Sequence, residues 1–186
     1  KLKLGGVEIP FVEGTKHMGV PLCSNKVALR SLISKRCEEV KRETRVMMSI
    51  GNAHAPLPPV IGSKIFLTAC LPKLVYGLET CSIDDSVCLL ELGKTQIHCA
   101  KKIQGLPQQT PNPVPNATLG WNSICAVIDI AKMLFLYRWL SQPTTCVYKQ
   151  VAIVRLVYFI LANTSNHQGP LYEAYETFKR YGVDYM

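Results

Sequence analysis

Apolar residues occupy every face of a helical wheel between Val60 and Thr80, in the run VIGSKIFLTACLPKLVYGLET, and this constrains the fold more than any other feature of the chain. A helix apolar all round is expected to be buried, with other helices packed around it. Pro72 lies inside the run and cannot donate to the Thr68 carbonyl, so the expectation is one central helix kinked there. Pro58 and Pro59 open it without losing a needed donor, and Ser82, Asp84 and Asp85 offer capping oxygens to the next helix.

The stretches on either side divide by period. Residues 1–24 alternate in the way of short strands: Lys-Leu-Lys-Leu, a Gly5-Gly6 turn and Val-Glu-Ile form one hairpin, and Lys16 to Leu22 supplies a further strand. Residues 25–104 read as a bundle of three helices. In the first, Asn25 to Ile50, the apolar set Leu29, Leu32, Ile33, Cys37, Val40, Thr44 and Met47 recurs at helical spacing. The loop GNAHAPLPP, with His54 read as a surface residue, leads into the central helix. A third helix from Asp84 to Gln104 carries an apolar stripe of Val87, Leu90, Ile97, Ala100 and Ile103. Residues 105–120 contain Pro107, Pro111, Pro113 and Pro115 and read as a semi-rigid spacer. Beyond it, residues 121–186 read as a second helical unit. Its helices run to about Leu140, from Thr144 or Thr145 through Ala162, and from Pro170 to Tyr181. The last has an aromatic stripe of Tyr172, Tyr175, Phe178 and Tyr181 that suits core packing. The expected fold class is therefore mainly α with a short N-terminal β hairpin or meander.

Charge narrows the partner. The chain of 186 residues carries a formal charge of +8, and residues 1–50 hold ten Lys and Arg against five acids, so the excess sits at the amino-terminal end. Seven of those cations, Lys26, Arg30, Lys35, Arg36, Lys41, Arg42 and Arg45, fall on the first helix against Glu38, Glu39 and Glu43. Such a helix either contacts phosphates or is a solvated face laced with i,i+4 ion pairs.

Catalytic chemistry is not readable. Asp84-Asp85 precede a helix and serve as caps, and no other paired carboxylate, Ser/His/Asp set or Gly-rich phosphate loop occurs. The eight cysteines are scattered singly through apolar runs, with no CxxC or HxxxH pair, so they read as buried thiols and not as a metal site. With no signal peptide readable, the sequons at Asn116 and Asn163 are read as chance. No stretch reads as membrane-spanning: Ile124 to Leu140 is interrupted by Asp129, Lys132 and Arg138, and Val151 to Ala162 is short and contains Arg155. The start at Lys1, in the middle of a strand pattern, suggests an excerpt or a remnant.

Three patches, in order, resemble the reverse transcriptases of LINE-type non-LTR retrotransposons. Lys64, Leu71, Pro72, Lys73, Leu74, Tyr76, Gly77 and Glu79 are similar to a "K…lPkLlYGlE" pattern found after the catalytic palm. Lys16-His17-Met18-Gly19-Val20-Pro21-Leu22 resembles the "kyLGvpl" primer-grip hairpin, and Ile103-Gln104-Gly105-Leu106-Pro107 resembles a recurrent "iqGLP" step.

The resemblance implies the thumb and post-thumb region of an RNA-directed DNA polymerase, in an intracellular, nuclear setting. It implies that the chain catalyses nothing itself, because the palm aspartates that hold two Mg²⁺ ions in such an enzyme are not among its residues. No cofactor is expected in this chain. The expected partners are an RNA/DNA template-primer duplex and the palm of the parent polymerase, with no membrane. The residues expected to contact nucleic acid are Lys16, His17 and Gly19 at the grip, Lys26, Arg30, Lys35, Lys41, Arg42 and Arg45 on the first helix, and Lys64 and Lys73 on the central one. The alternative is a helical protein-interaction scaffold or an inert remnant of a retroelement.

Overall fold

The structure is a computed structural model, and it describes residues 3–4, 7–8, 14–17, 20–23, 26–50, 57–81, 86–162 and 169–182. Seven helices stand among the described residues, and the chain is mainly helical. They are α1 (Lys26–Met48), α2 (residues 59–75), α3 (Ser86–Gln104), α4 (Pro113–Leu119), α5 (Ile124–Leu140), α6 (Val147–Ala162) and α7 (Pro170–Arg180). Ahead of them lie two short antiparallel pairings, Lys3–Leu4 with Val7–Glu8 and Gly14–His17 with Val20–Cys23. The expected capping residues Ser82, Asp84 and Asp85, together with His54, lie outside the described residues.

α1 buries Leu29, Ile33, Cys37, Val40, Thr44 and Met47, the stripe its period predicts, and adds Arg36 to it. The Arg36 guanidinium donates to the Tyr76 carbonyl at 2.7 Å, where α2 ends. A cation at a helix C-terminus meets both an orphan carbonyl and the negative end of the dipole. Gly77, at φ 76°, then turns the chain out of the helix into a short 3-10 turn, Leu78–Thr80.

α2 runs on through Pro72 as one helix: the segment Phe66–Cys70 widens into a π turn, with the Leu71 N–H bonded to the Phe66 carbonyl five residues back. A wider turn accommodates the proline ring without losing the helix. One expectation for α2 changes, because it is not buried all round. Gly62, Ser63, Phe66, Cys70 and Leu74 form its buried face, while Val60, Ile61, Leu67 and Tyr76 are exposed. The window from Pro59 to Thr80 is long and apolar enough to cross a membrane by length and composition, which the sequence reading passed over. A core helix of a soluble protein passes the same test, and 28% of this window is buried.

The buried face of α3 is also rotated from its expected position. Cys88, Leu92, Thr95, Gln96, Cys99, Ala100, Lys101 and Ile103 are inside, whereas Val87 and Leu90 are exposed. Small and polar side chains hold this face because α1 and α2 approach it closely. A Cβ on Gly62 would lie 3.0 Å from Cγ2 of Ile103.

The proline-rich stretch 105–120 is not a free spacer. Pro113 and Pro115 lie in the first turn of α4, where a missing N–H costs nothing, and α4 is bonded back onto α3. Gln104 donates to the Pro115 carbonyl at 2.8 Å, and Asn116 donates to Gln96 at 3.4 Å. The buried Gln96 amide also donates to the Asn122 carbonyl at 2.8 Å and accepts from the Ile124 N–H at 3.0 Å, which caps α5. Gly120 at φ 66° ends α4, and α5 leaves at 57° to it.

α5 joins two apolar clusters. Ile124 and Ile128 pack with Ile33, Phe66, Leu74 and Leu92 of the first three helices. Leu136, further along, packs with Leu156 and Phe159 of α6 and Leu171 of α7. Lys132, which is buried, and the largely covered Glu173 meet between α5 and α7 at 2.9 Å. Of the α7 aromatics, Tyr172 and Tyr175 pack on the Phe159 ring at 5.4 and 6.3 Å, whereas Tyr181 is exposed and its hydroxyl donates to Asp129 at 2.8 Å. Of the described cysteines, Cys37, Cys70, Cys88 and Cys99 are buried and Cys125 is exposed.

Candidate functional site

Where α1 and α3 lie side by side, their outer edges leave an open cleft of about 640 Å³. α1 contributes Glu38, Lys41 and Arg45, which share a helix face beside the buried stripe. α3 contributes Lys94, Ile97, His98, Lys101 and Lys102, and Gln108 and Asn112 come from the loop after it. Five cations therefore face one carboxylate.

Pairing within the cleft leaves most of that charge in place. Lys41 donates to Glu38 at 2.8 Å. That hydrogen bond holds the Glu38 carboxyl below the usual carboxylate range and raises the Lys41 ammonium. Lys101 is buried and donates to the Gln108 carbonyl at 2.8 Å and to Asn112 Oδ1 at 3.4 Å. Both acceptors are neutral, so the ammonium keeps its full field at the cleft wall. His98 reports the result: burial first, then Lys41, Lys102 and Arg45, push its imidazole below its ordinary value, against a weaker opposing pull from Glu38. A neutral imidazole among cations can donate one hydrogen bond to an anion and gains a second donor once an anion raises its pKa.

The eleven residues expected to contact nucleic acid separate into groups. Lys41 and Arg45 line the cleft. Lys35 and Arg42, seven apart, share the solvent face of α1, and Lys26 and Arg30 are exposed along its first turns. Lys73 is paired with Glu43 at 2.8 Å across α2 and α1, and Lys64 is exposed on α2. Neither lines the cleft. Lys16 and His17 end the Gly14–His17 strand, but their side chains, and Gly19 altogether, lie outside the described residues.

Lys94, His98 and Lys102 were not singled out from the sequence, although they recur at i, i+4 and i+8 and so mark one edge of α3. Among the described residues no group of three or more His, Cys, Asp or Glu side chains is placed to hold a metal ion. Compared with known proteins, the chain matches no family model, no curated protein and no solved structure.

Proposed function

We propose that the chain grips a nucleic-acid duplex through its phosphates, with the cleft between α1 and α3 holding the sugar-phosphate backbone. The observation that carries this reading is the cleft itself: five cations against one carboxylate, one of the cations buried without an anionic partner. Side chains of this kind neutralise phosphates and read no sequence, so binding is largely sequence-independent and salt-sensitive.

The resemblance to non-LTR reverse transcriptases supports the finer form of the proposal. In that form α1 to α3 act as a thumb and the substrate is an RNA/DNA template-primer. The N-terminal strands form the primer-grip hairpin, with Lys16, His17 and Gly19 near the primer end, and the chain packs beside the palm of its parent polymerase. Lys35 and Arg42 then face away from the duplex, and Lys73 serves Glu43.

The test is anisotropy of a fluorescent RNA/DNA hybrid titrated with the chain across a salt series. Each phosphate neutralised contributes about −0.9 to the log–log slope on a B-form duplex, so four contacts give about −3.6. A variant with Lys41, Arg45, Lys94 and Lys102 changed to Gln is expected to lose most of the affinity and of the slope, and Lys35→Gln/Arg42→Gln to lose little. Equal losses in the two variants, or no binding by the folded chain at low salt, would refute the cleft as the grip.

A further inference from the structure

The two ends of the basic cleft differ. The Thr44 hydroxyl of α1 donates to Cys99 of α3 at 3.3 Å, and Cys37 of α1 lies beside Thr95 of α3, so the two helices run in the same direction. Glu38, the carboxylate of the cleft, therefore stands toward the Lys94 end and pairs there with Lys41. Arg45, Lys101 and Lys102 gather at the other end, where both helices finish and no carboxylate lines the wall among the described residues.

That end is rich in donors still to be used. Lys101 is 5% exposed, and its two acceptors, the Gln108 carbonyl and Asn112 Oδ1, tie the loop after α3 back over the last turn and leave one ammonium N–H over. Asn112, its oxygen taken, keeps its amide nitrogen as a donor. The Arg45 guanidinium uses Nε on the Lys41 carbonyl at 3.3 Å, and Lys102 is exposed with no hydrogen bond among the described residues.

Charge decides what this end accepts. Three cations sit beside two helix C-termini, each of which offsets about half a unit charge, so about two positive charges remain. A phosphodiester within a strand brings one negative charge and two free oxygens. A phosphomonoester brings about two charges and three acceptor oxygens. Its single ester link also lets it project into a recess that a doubly linked phosphate only passes. On a 5′ end the phosphate stands a methylene away from the sugar ring, which gives it the reach to a covered ammonium.

We infer that the Arg45, Lys101 and Lys102 end of the cleft holds the 5′-terminal phosphate of a nucleic-acid strand, with Asn112 as a neutral donor. The inference rests on the proposed grip and refines it: the Lys41 and Lys94 end follows the strand by its diesters, and this end fixes where the strand stops. Charge-assisted hydrogen bonds from a guanidinium and two ammoniums supply the discrimination.

The test is anisotropy of internally labelled RNA/DNA hybrids with the full chain at one ionic strength, the hybrids differing only in 5′-hydroxyl, 5′-phosphate or 3′-phosphate ends. The 5′-phosphate hybrid is expected to bind about tenfold more tightly than the hydroxyl one, the scale of one charge-assisted hydrogen bond. Arg45→Gln/Lys102→Gln, at exposed positions, should remove that preference, whereas Lys94→Gln, at the other end, should weaken both hybrids alike. Equal affinity for the hydroxyl and 5′-phosphate hybrids, with steep salt dependence in both, overturns the inference and leaves the grip standing. Binding of neither hybrid by the folded chain removes both. A preference that survives Arg45→Gln/Lys102→Gln, or an equal gain from a 3′-phosphate, also overturns it. So does an affinity for adenosine 5′-monophosphate as high as for the phosphorylated hybrid, which would make the ligand a free nucleotide.

Discussion

The indole Nε1–H of Trp121 donates to the Ser63 hydroxyl at 2.8 Å, across 58 positions of sequence, while its ring stacks on Phe66 at 4.4 Å and 12°. This one side chain thus fastens the segment before α5 to the buried face of α2. Trp121→Phe keeps most of the stack and leaves the buried Ser63 hydroxyl without its donor, an expected loss of about 1–2 kcal/mol. Trp121→Ala removes both and should cost about 3–5 kcal/mol. Urea unfolding followed by far-ultraviolet circular dichroism measures both; equal losses would mean that the hydrogen bond contributes nothing apart from the stack.

Lys132, which is buried, pairs with the largely covered Glu173 at 2.9 Å. Removing one partner strands the other charge in a low-dielectric setting, so Glu173→Leu should cost about 3 kcal/mol or more. The double variant Lys132→Met/Glu173→Leu is expected to be more stable than Glu173→Leu, since two apolar side chains leave no uncompensated charge. Denaturant midpoints of the three proteins test this, and a double variant less stable than the single would count against it.

His98 links the basic cleft to pH. Its folded pKa lies below the ordinary 6.5, so below that value the unfolded chain binds more protons than the folded one. Stability from this group is therefore fully present above 6.5 and is lost as pH falls toward the folded value. A bound polyanion reverses the pull of Lys41, Lys102 and Arg45, so binding takes up a proton. Affinity for a duplex should rise as pH falls from 7.5 to 6, by at most about tenfold per pH unit for a single proton. His98→Gln should flatten that dependence; an unchanged pH profile in the variant would assign it to other groups.

Thiol reactivity should follow burial. Desolvation pushes the Cys99 thiol up to about 11 against a weaker opposing hydrogen bond from Thr44, which leaves about a hundredfold less thiolate than an ordinary thiol of 9.0 before access is considered. Cys125 is exposed. Timed iodoacetamide labelling at pH 8 with peptide mass mapping should find Cys125 modified early and Cys99 only with denaturant. Early labelling of Cys99 would show that α1 and α3 open readily.

Local pattern was enough for the helical elements other than α4, whose prolines read as a spacer, and for the inner face of α1, because an apolar residue every three or four positions has only one stable reading when one side is dry. It was enough to place positive charge on α1, and Lys41 and Arg45 followed. It failed for α2 and α3. In α2 the apolar residues run round the helix and carry no information about which of them meets a neighbour. In α3 the inner face is made of Cys88, Thr95, Gln96 and Cys99, whose small or polar side chains do not register as a stripe. Gln96 is inside because its amide bonds to Asn116, Asn122 and Ile124, partners that only the turn of the chain after α3 brings to it.

By itself, then, the sequence determined that the chain is mainly helical, where most of its helices start and stop, and that its charge is basic and concentrated at one end. Those properties depend on neighbours a few positions away, through helical spacing, capping and the missing N–H of proline. Tertiary structure alone decided that Lys41 and Arg45 share a cleft with Lys94, His98, Lys101 and Lys102 while Lys35 and Arg42 face away, and which face of α2 is buried. Both depend on which helices lie side by side, and that was settled by close contacts such as Gly62 on Ile103 and Trp121 on Ser63, between residues 41 and 58 positions apart.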